Sequence, residues 1–199
     1  MSNDSSTGGY LVPASSPAPL EDDLLDNFIH DIISGVTGLP GNVILPRWQP
    51  EPVNLPAVGT DWMAFGIVKT TPDTFAVEYH HSAGNGTDEL IRHEVMDILV
   101  SSYGPNSRKN LQLLSDGLQI AQNREVLFLN SMAFVETTDT LTAPQFVKDK
   151  WLRRIDFTLR IRRQILRSYP VLNLLSANGL LYANISTGNT TIDSINTQG

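Results

Sequence analysis

The stretch from Trp151 to Arg163, WLRRIDFTLRIRR, limits the possible folds of this chain more than any other. Ile155, Phe157, Leu159 and Ile161 alternate with Asp156, Thr158, Arg160 and Arg162. A period of two predicts a strand with one face on a core and one face turned outward. The outward face is rich in arginine, so the strand is expected to present guanidinium groups to a partner.

That basic face stands out because the chain as a whole is acidic, with a formal charge of −7. Residues 148–167 hold eight of the fourteen Lys and Arg residues and only Asp149 and Asp156 against them, so this window is +6 and the remainder −13. Net acidity argues against non-specific DNA binding by the whole molecule. The uneven distribution favours complementary contacts, within the fold or between copies.

The 199 residues suit one domain with appended tails, and an apolar fraction of 41% supports a core. Residues 1–19, rich in Ser, Gly and Pro, are expected to form a flexible arm, and residues 186–199 a flexible tail, around a domain at 20–185. No basic-then-apolar leader and no bilayer-length apolar run is expected.

Leu24, Leu25, Phe28, Ile29, Ile32, Ile33 and Val36 recur at helical spacing, with Asp22 and Asp23 at the positive end of the helix dipole and Gly35, Gly38 and Pro40 as the stop. Residues 37–60 carry five prolines and predict a stiff loop in which only Val43 to Leu45 pairs. Met63, Phe65 and Ile67, then Phe75, Val77 and Tyr79, predict a hairpin turning at Thr71-Pro72-Asp73. Residues 89–101 fit a helix or a strand, and their β-branched content favours the strand. A helix follows Tyr103-Gly104-Pro105-Asn106, a short one covers Arg124–Leu129, and Met132–Glu136 reads as a strand. Asn178-Gly179 predicts a second hairpin turn. The order predicts an α+β fold, a mostly antiparallel sheet flanked by two main helices with long loops and flexible termini.

Motifs of catalysis are missing from the sequence. It has no Gly-rich phosphate loop, no Gly-x-Ser-x-Gly elbow and no cysteine. His80 and His81 lie near Asp88 and Glu89, but neighbouring residues on a strand face opposite ways, which hinders shared metal ligation. No enzyme activity, cofactor or metal is therefore expected. Trp48, Trp62 and Trp151 suit core and interface packing better than base stacking, because the residues around Trp48 and Trp62 are not basic. The arginine face can be solvated, can hold phosphates as a nucleic-acid-binding module, or can meet carboxylates of a neighbouring copy. The last accounts best for the charge split. It makes Arg153, Arg154, Arg160, Arg162 and Arg163 candidate contact residues, with Arg47 and Trp48 as an anchor on the proline loop.

Several segments resemble the neck or tail terminator (tail-completion) family of tailed bacteriophages. They are Thr37-Gly-Leu-Pro-Gly-Asn42, Pro46-Arg-Trp-Gln-Pro-Glu-Pro52, Gly59-Thr-Asp-Trp-Met-Ala-Phe-Gly66, Tyr103-Gly-Pro-Asn106, Gly117-Leu-Gln-Ile-Ala-Gln-Asn-Arg124, Arg160-Ile-Arg-Arg163 and Tyr169-Pro-Val-Leu-Asn-Leu-Leu-Ser-Ala-Asn-Gly179. The resemblance implies a structural virion protein that forms a homo-hexameric ring, caps the tail tube and joins the tail to the neck or head connector. Its implied partners are other copies of itself, the tail tube protein, the neck or connector protein and, as a further neighbour, the tail sheath. DNA would pass through the lumen without sequence-specific binding, and no membrane is involved. The implied location is the tail and neck of the virion, after assembly in the host cytoplasm. The terminator of a capsid-less, tail-like injection machine is an alternative.

Overall fold

The computed structural model describes residues 3–14, 19–49, 54–57, 59–147, 149–174, 176–182 and 192–198, the last two stretches by backbone alone. Pro50, Pro52, Lys148 and residues 183–191 lie outside them. The chain divides into two compact units, Pro17–Val77 with Ile91–Leu166, and Met1–Ser16 with Glu78–Leu90 and Arg167–Gly199.

The larger unit opens with helix α1, Asp22–Thr37, whose buried residues Leu25, Ile29, Ile32 and Ile33 follow the predicted stripe. Gly38 ends it in the left-handed conformation (φ 72°), donating its N–H to Ser34 O at 2.9 Å. A Cβ is tolerated poorly there, which is why glycine stops this helix. Strand β1 (Ile44–Pro46) follows, then β2 (Trp62–Pro72), β3 (Val77–His81) and β4 (Thr87–Tyr103). Helices α2 (Ser107–Gly117) and α3 (Ala121–Leu129) lead to β5 (Met132–Thr137), β6 (Leu141–Thr142), β7 (Gln145–Val147), β8 (Lys150–Leu152) and β9 (Arg154–Tyr169). Beyond them lie β10 (Ser176–Tyr182) and β11 (Ile192–Gln198).

The main sheet runs β1-β2-β4-β9-β5, with β3 added on β4 and β6 on β9. Strand β1 is parallel to β2, Ile44 facing Met63, whereas β2–β4 and β5–β9 are antiparallel. Pro46 closes the short β1 at the end of the sheet, where a missing N–H is tolerated and further strand pairing is discouraged. The core joins α1 and α2 (Leu111, Leu114) to Met63, Phe65, Ile98, Val100, Phe157, Leu159 and Ile161. Each such side chain contributes about 1.5–3 kcal/mol of transfer free energy. The fold is α+β, as the sequence predicts.

Three details differ from the sequence reading. The predicted hairpin does not pair with itself: β2 pairs with β4, as far as Pro72 against Glu94, and β3 pairs with β4 instead. Val77 and Tyr79 are exposed, so their alternation marked no buried face able to hold β3 against β2. The basic stretch is not one strand either. It breaks at Arg153, because β8 pairs with β7 in a separate ribbon while β9 enters the main sheet. Asn178-Gly179 lies inside β10, opposite Asn196 and Ile195 of β11, rather than at a turn. Residues 89–101 fall within β4, the favoured alternative.

In the smaller unit the expected N-terminal arm makes regular contacts. Ser5 N–H donates to Pro170 O at 3.1 Å, Ala14 N–H donates to Ser168 O at 2.7 Å, and Leu172 N–H donates to Ser5 Oγ at 2.7 Å.

Candidate subunit-contact surface

Four arginines of β9 meet carboxylates, one on the same strand and the others on elements beside it. Arg154 Nε donates to Asp156 Oδ1 at 2.8 Å, and its guanidinium lies over the Tyr103 ring, 5.7 Å from the centroid. The Asp156 bond is the main reason that Arg154 holds its proton more tightly than a free arginine. Arg160 Nε donates to Asp97 Oδ1 at 2.7 Å on β4, and its NH1 donates to Glu136 on β5. Asp97 likewise strengthens the protonated form of Arg160. Arg162 reaches Asp73 Oδ2 at 3.2 Å. Arg163 donates through Nε to Glu94 Oε1 at 2.6 Å and through NH1 to Leu20 O at 2.5 Å.

The outward face of β9 is therefore less open than its alternation predicts. Asp156 is only 7% exposed, and off that face Arg163 is only 8% exposed. Arg163 follows Arg162 directly and so turns to the core face with Ile161 and Ile165, where Glu94 meets it. Among the strand's arginines, the Arg162 side chain stays half exposed, at 50%. Arg153, at the break, is exposed and donates through NH1 to Pro105 O at 2.9 Å.

The proline loop supplies the second part. Arg47 N–H donates to Phe65 O at 2.8 Å, and its guanidinium donates to Ser101 Oγ. Trp48 adopts a left-handed φ of 58°. Its ring lies on Gly66, where a Cβ would stand 2.6 Å from Cζ3, yet the side chain remains 70% exposed. The exposed ring and the left-handed backbone together keep Trp48 a candidate contact residue.

One further feature escaped the sequence reading. Phe146 on β7 and Trp151 on β8 pair with ring centroids 5.2 Å apart and are 61% and 71% exposed. The signal was present as two aromatics flanking a charged turn, but Trp151 read as the first residue of a longer strand.

The family-like segments fix the scaffold. Trp62 stacks on Tyr103 at 3.9 Å between centroids and 4° between planes. Asp61 accepts from the Asn106 N–H at 2.8 Å and from Asn106 Nδ2 at 2.7 Å, at the start of α2. Gly104 (φ 103°) lies so close that a Cβ would be 2.6 Å from Thr60 O. Gly117 packs against Val36, and its carbonyl accepts from Asn123 Nδ2 at 2.9 Å. Two segments distant in sequence, 59–66 and 103–106, thus form one joint.

The sequence profile of the phage neck terminator protein matches residues 23–195. The chain belongs to the phage neck terminator family. Membership assigns it a structural role in the phage neck and tail, and with that the virion as its setting. No curated protein matches it significantly. Among the described residues no group of three or more His, Asp or Glu could hold a metal ion, and His80 and His81 bind separate carboxylates, Asp88 and Glu89. No helix among them is long and apolar enough to cross a membrane.

Proposed function

We propose that this neck terminator acts as a homo-hexameric ring that caps the last layer of the tail tube and joins it to the neck connector, without enzymatic activity. Family membership across residues 23–195 carries the reading. Head-to-tail contacts whose rotation closes give such a ring from identical copies. Trp48, Arg153 and Arg162 form the accessible part of the contact surface, with half-buried Arg47 anchoring Trp48. Arg154, Arg160 and Arg163 support it from within by orienting Asp156, Glu136 and Glu94. The burial of Arg163 and the pairing of Arg160 favour this division of roles over a free basic face. Tail tube and connector proteins are the partners, the tail sheath is a further neighbour, and assembly takes place in the host cytoplasm.

Native mass measurement of the purified chain, with electron microscopy in the presence of tail tubes, tests this. A six-subunit ring seated on tube ends is expected. Trp48→Ala combined with Arg162→Glu should leave folded single subunits, because neither side chain is in the core. A wild-type chain that stays monomeric and ignores tube ends would overturn the assignment, and rings formed by the double variant would overturn the contact residues.

A further inference from the structure

His80 has an environment that its place on an exposed strand does not require. Its Nδ1 lies 2.5 Å from Asp88 Oδ1, and its Nε2 lies 2.8 Å from Asn173 Oδ1. The Asn173 amide cannot be turned over, because its Nδ2 donates to Ser82 O at 2.9 Å and to Gly84 O at 3.1 Å. Turning it would set an oxygen against two carbonyl oxygens. Both ring nitrogens of His80 thus face acceptors, and only the imidazolium can donate to both. Asp88 is 9% exposed, so its charge is poorly screened at this contact.

The same knot fastens backbone. Asn173 N–H donates to Asn85 O at 2.8 Å, and a Cβ on Gly86 (φ 97°) would stand 2.5 Å from Asn173 N. Leu172 N–H and Pro170 O bind Ser5 of the arm. Around this contact the titratable groups are Asp88 and Glu89 at the start of β4, Glu78, Tyr79 and His81 on β3, Arg167 and Tyr169 at the end of β9, and Asp4 and Tyr10 in the arm. Glu89 pairs with His81 at 2.8 Å, leaving Asp88 as the carboxylate on His80.

We propose that His80 is a protonation-controlled clasp, which fastens residues 170–173, and through them the 3–14 arm, to the 82–88 tip, and releases them when it loses a proton. The neutral ring keeps its Nδ1–H on Asp88 and turns a lone pair toward Asn173 Oδ1, so the 170–173 side opens. The direction agrees with the ring's shift: the hydrogen bond donated to Asp88, then that donated to Asn173, raises the His80 pKa above its ordinary value. A raised pKa places the full stabilisation below about pH 6.5 and removes it as pH climbs through the raised value.

Hydrogen–deuterium exchange with mass detection on the full chain reads both quantities, the imidazole C–H rate giving the His80 titration and backbone amides giving protection at 168–174. His80 is expected to titrate above about 6.5, with protection at 168–174, corrected for intrinsic exchange, falling about tenfold per unit of raised pKa across the same midpoint. Amides of β2 should not change over that range. Asp88→Asn, which keeps an acceptor but removes the charge, should move the midpoint down, and His80→Leu should abolish the pH step. Titration of His80 at or below its ordinary value, or protection that stays flat through its titration, would overturn the clasp. The wild-type measurement decides even if a variant fails to fold.

Discussion

Glu94 and Arg163 meet at 2.6 Å with side chains 5% and 10% exposed. Arg92 also reaches Glu94, at 3.2 Å, and Leu20 O takes a second Arg163 donor. Removing one partner of a buried pair leaves a charge with no compensation, so Glu94→Ala is expected to lose about 3–5 kcal/mol in urea unfolding. Replacing both with Met should cost much less, because the lone charge is gone. Near the start of α1, partial burial and then the charges of Asp23 and Asp22 push the Asp26 carboxyl above its ordinary pKa. A raised carboxyl opposes folding at neutral pH and ceases to do so as pH falls through it. Asp26→Asn should therefore stabilise by less than about 1 kcal/mol at pH 7, and the gain should vanish near about pH 4. At this scale the sequence showed which residues carry charge but not which carboxylate each arginine meets. Asp97, Glu94, Glu136 and Asp73 lie 24 to 89 positions from their partners, and only strand order brings them together.

Elements were legible where the period was long and the punctuation chemical. Helix α1 follows its apolar stripe to Gly38, and α2 begins beside Pro105-Asn106. Strand partners were not legible, because alternation tells a strand which face is apolar and not which neighbour it takes. The smooth alternation from Trp151 onward also hid the break at Arg153, where Gly104 N–H binds the Arg153 carbonyl at 3.1 Å. The junction of α2 with α1 offers a direct test. A Cβ on Gly117 would stand 2.4 Å from Val36 Cγ1. Gly117→Ala is expected to destabilise by about 1–3 kcal/mol through overpacking. Val36→Ala in the same chain opens that space, so the double variant should lose less than the two single losses together, a coupling that a double-mutant cycle in urea measures.

For the whole molecule, internal pairing of the basic strand changes what its charge can do. A −7 chain whose strand arginines already hold carboxylates has little left for phosphates. A gel-shift titration with short duplex DNA at physiological salt is expected to show no retained complex, and a salt-sensitive complex would restore the nucleic-acid reading. The α+β class and the family were both legible, because class follows from element order and the family from segments that now prove to be joints, such as Asp61 with Asn106. The exposed aromatics were only partly legible, since Trp48 and Trp151 were singled out while the ribbon that pairs Trp151 with Phe146 was not. The three tryptophans also differ in surroundings: Trp62 is stacked and 6% exposed, whereas Trp48 and Trp151 stand in water. The molecule thus carries its own optical labels. Emission from the two wet indoles should shift to the blue only when something covers them, so light alone can time the arrival of a neighbour while the third indole stays dark to the event.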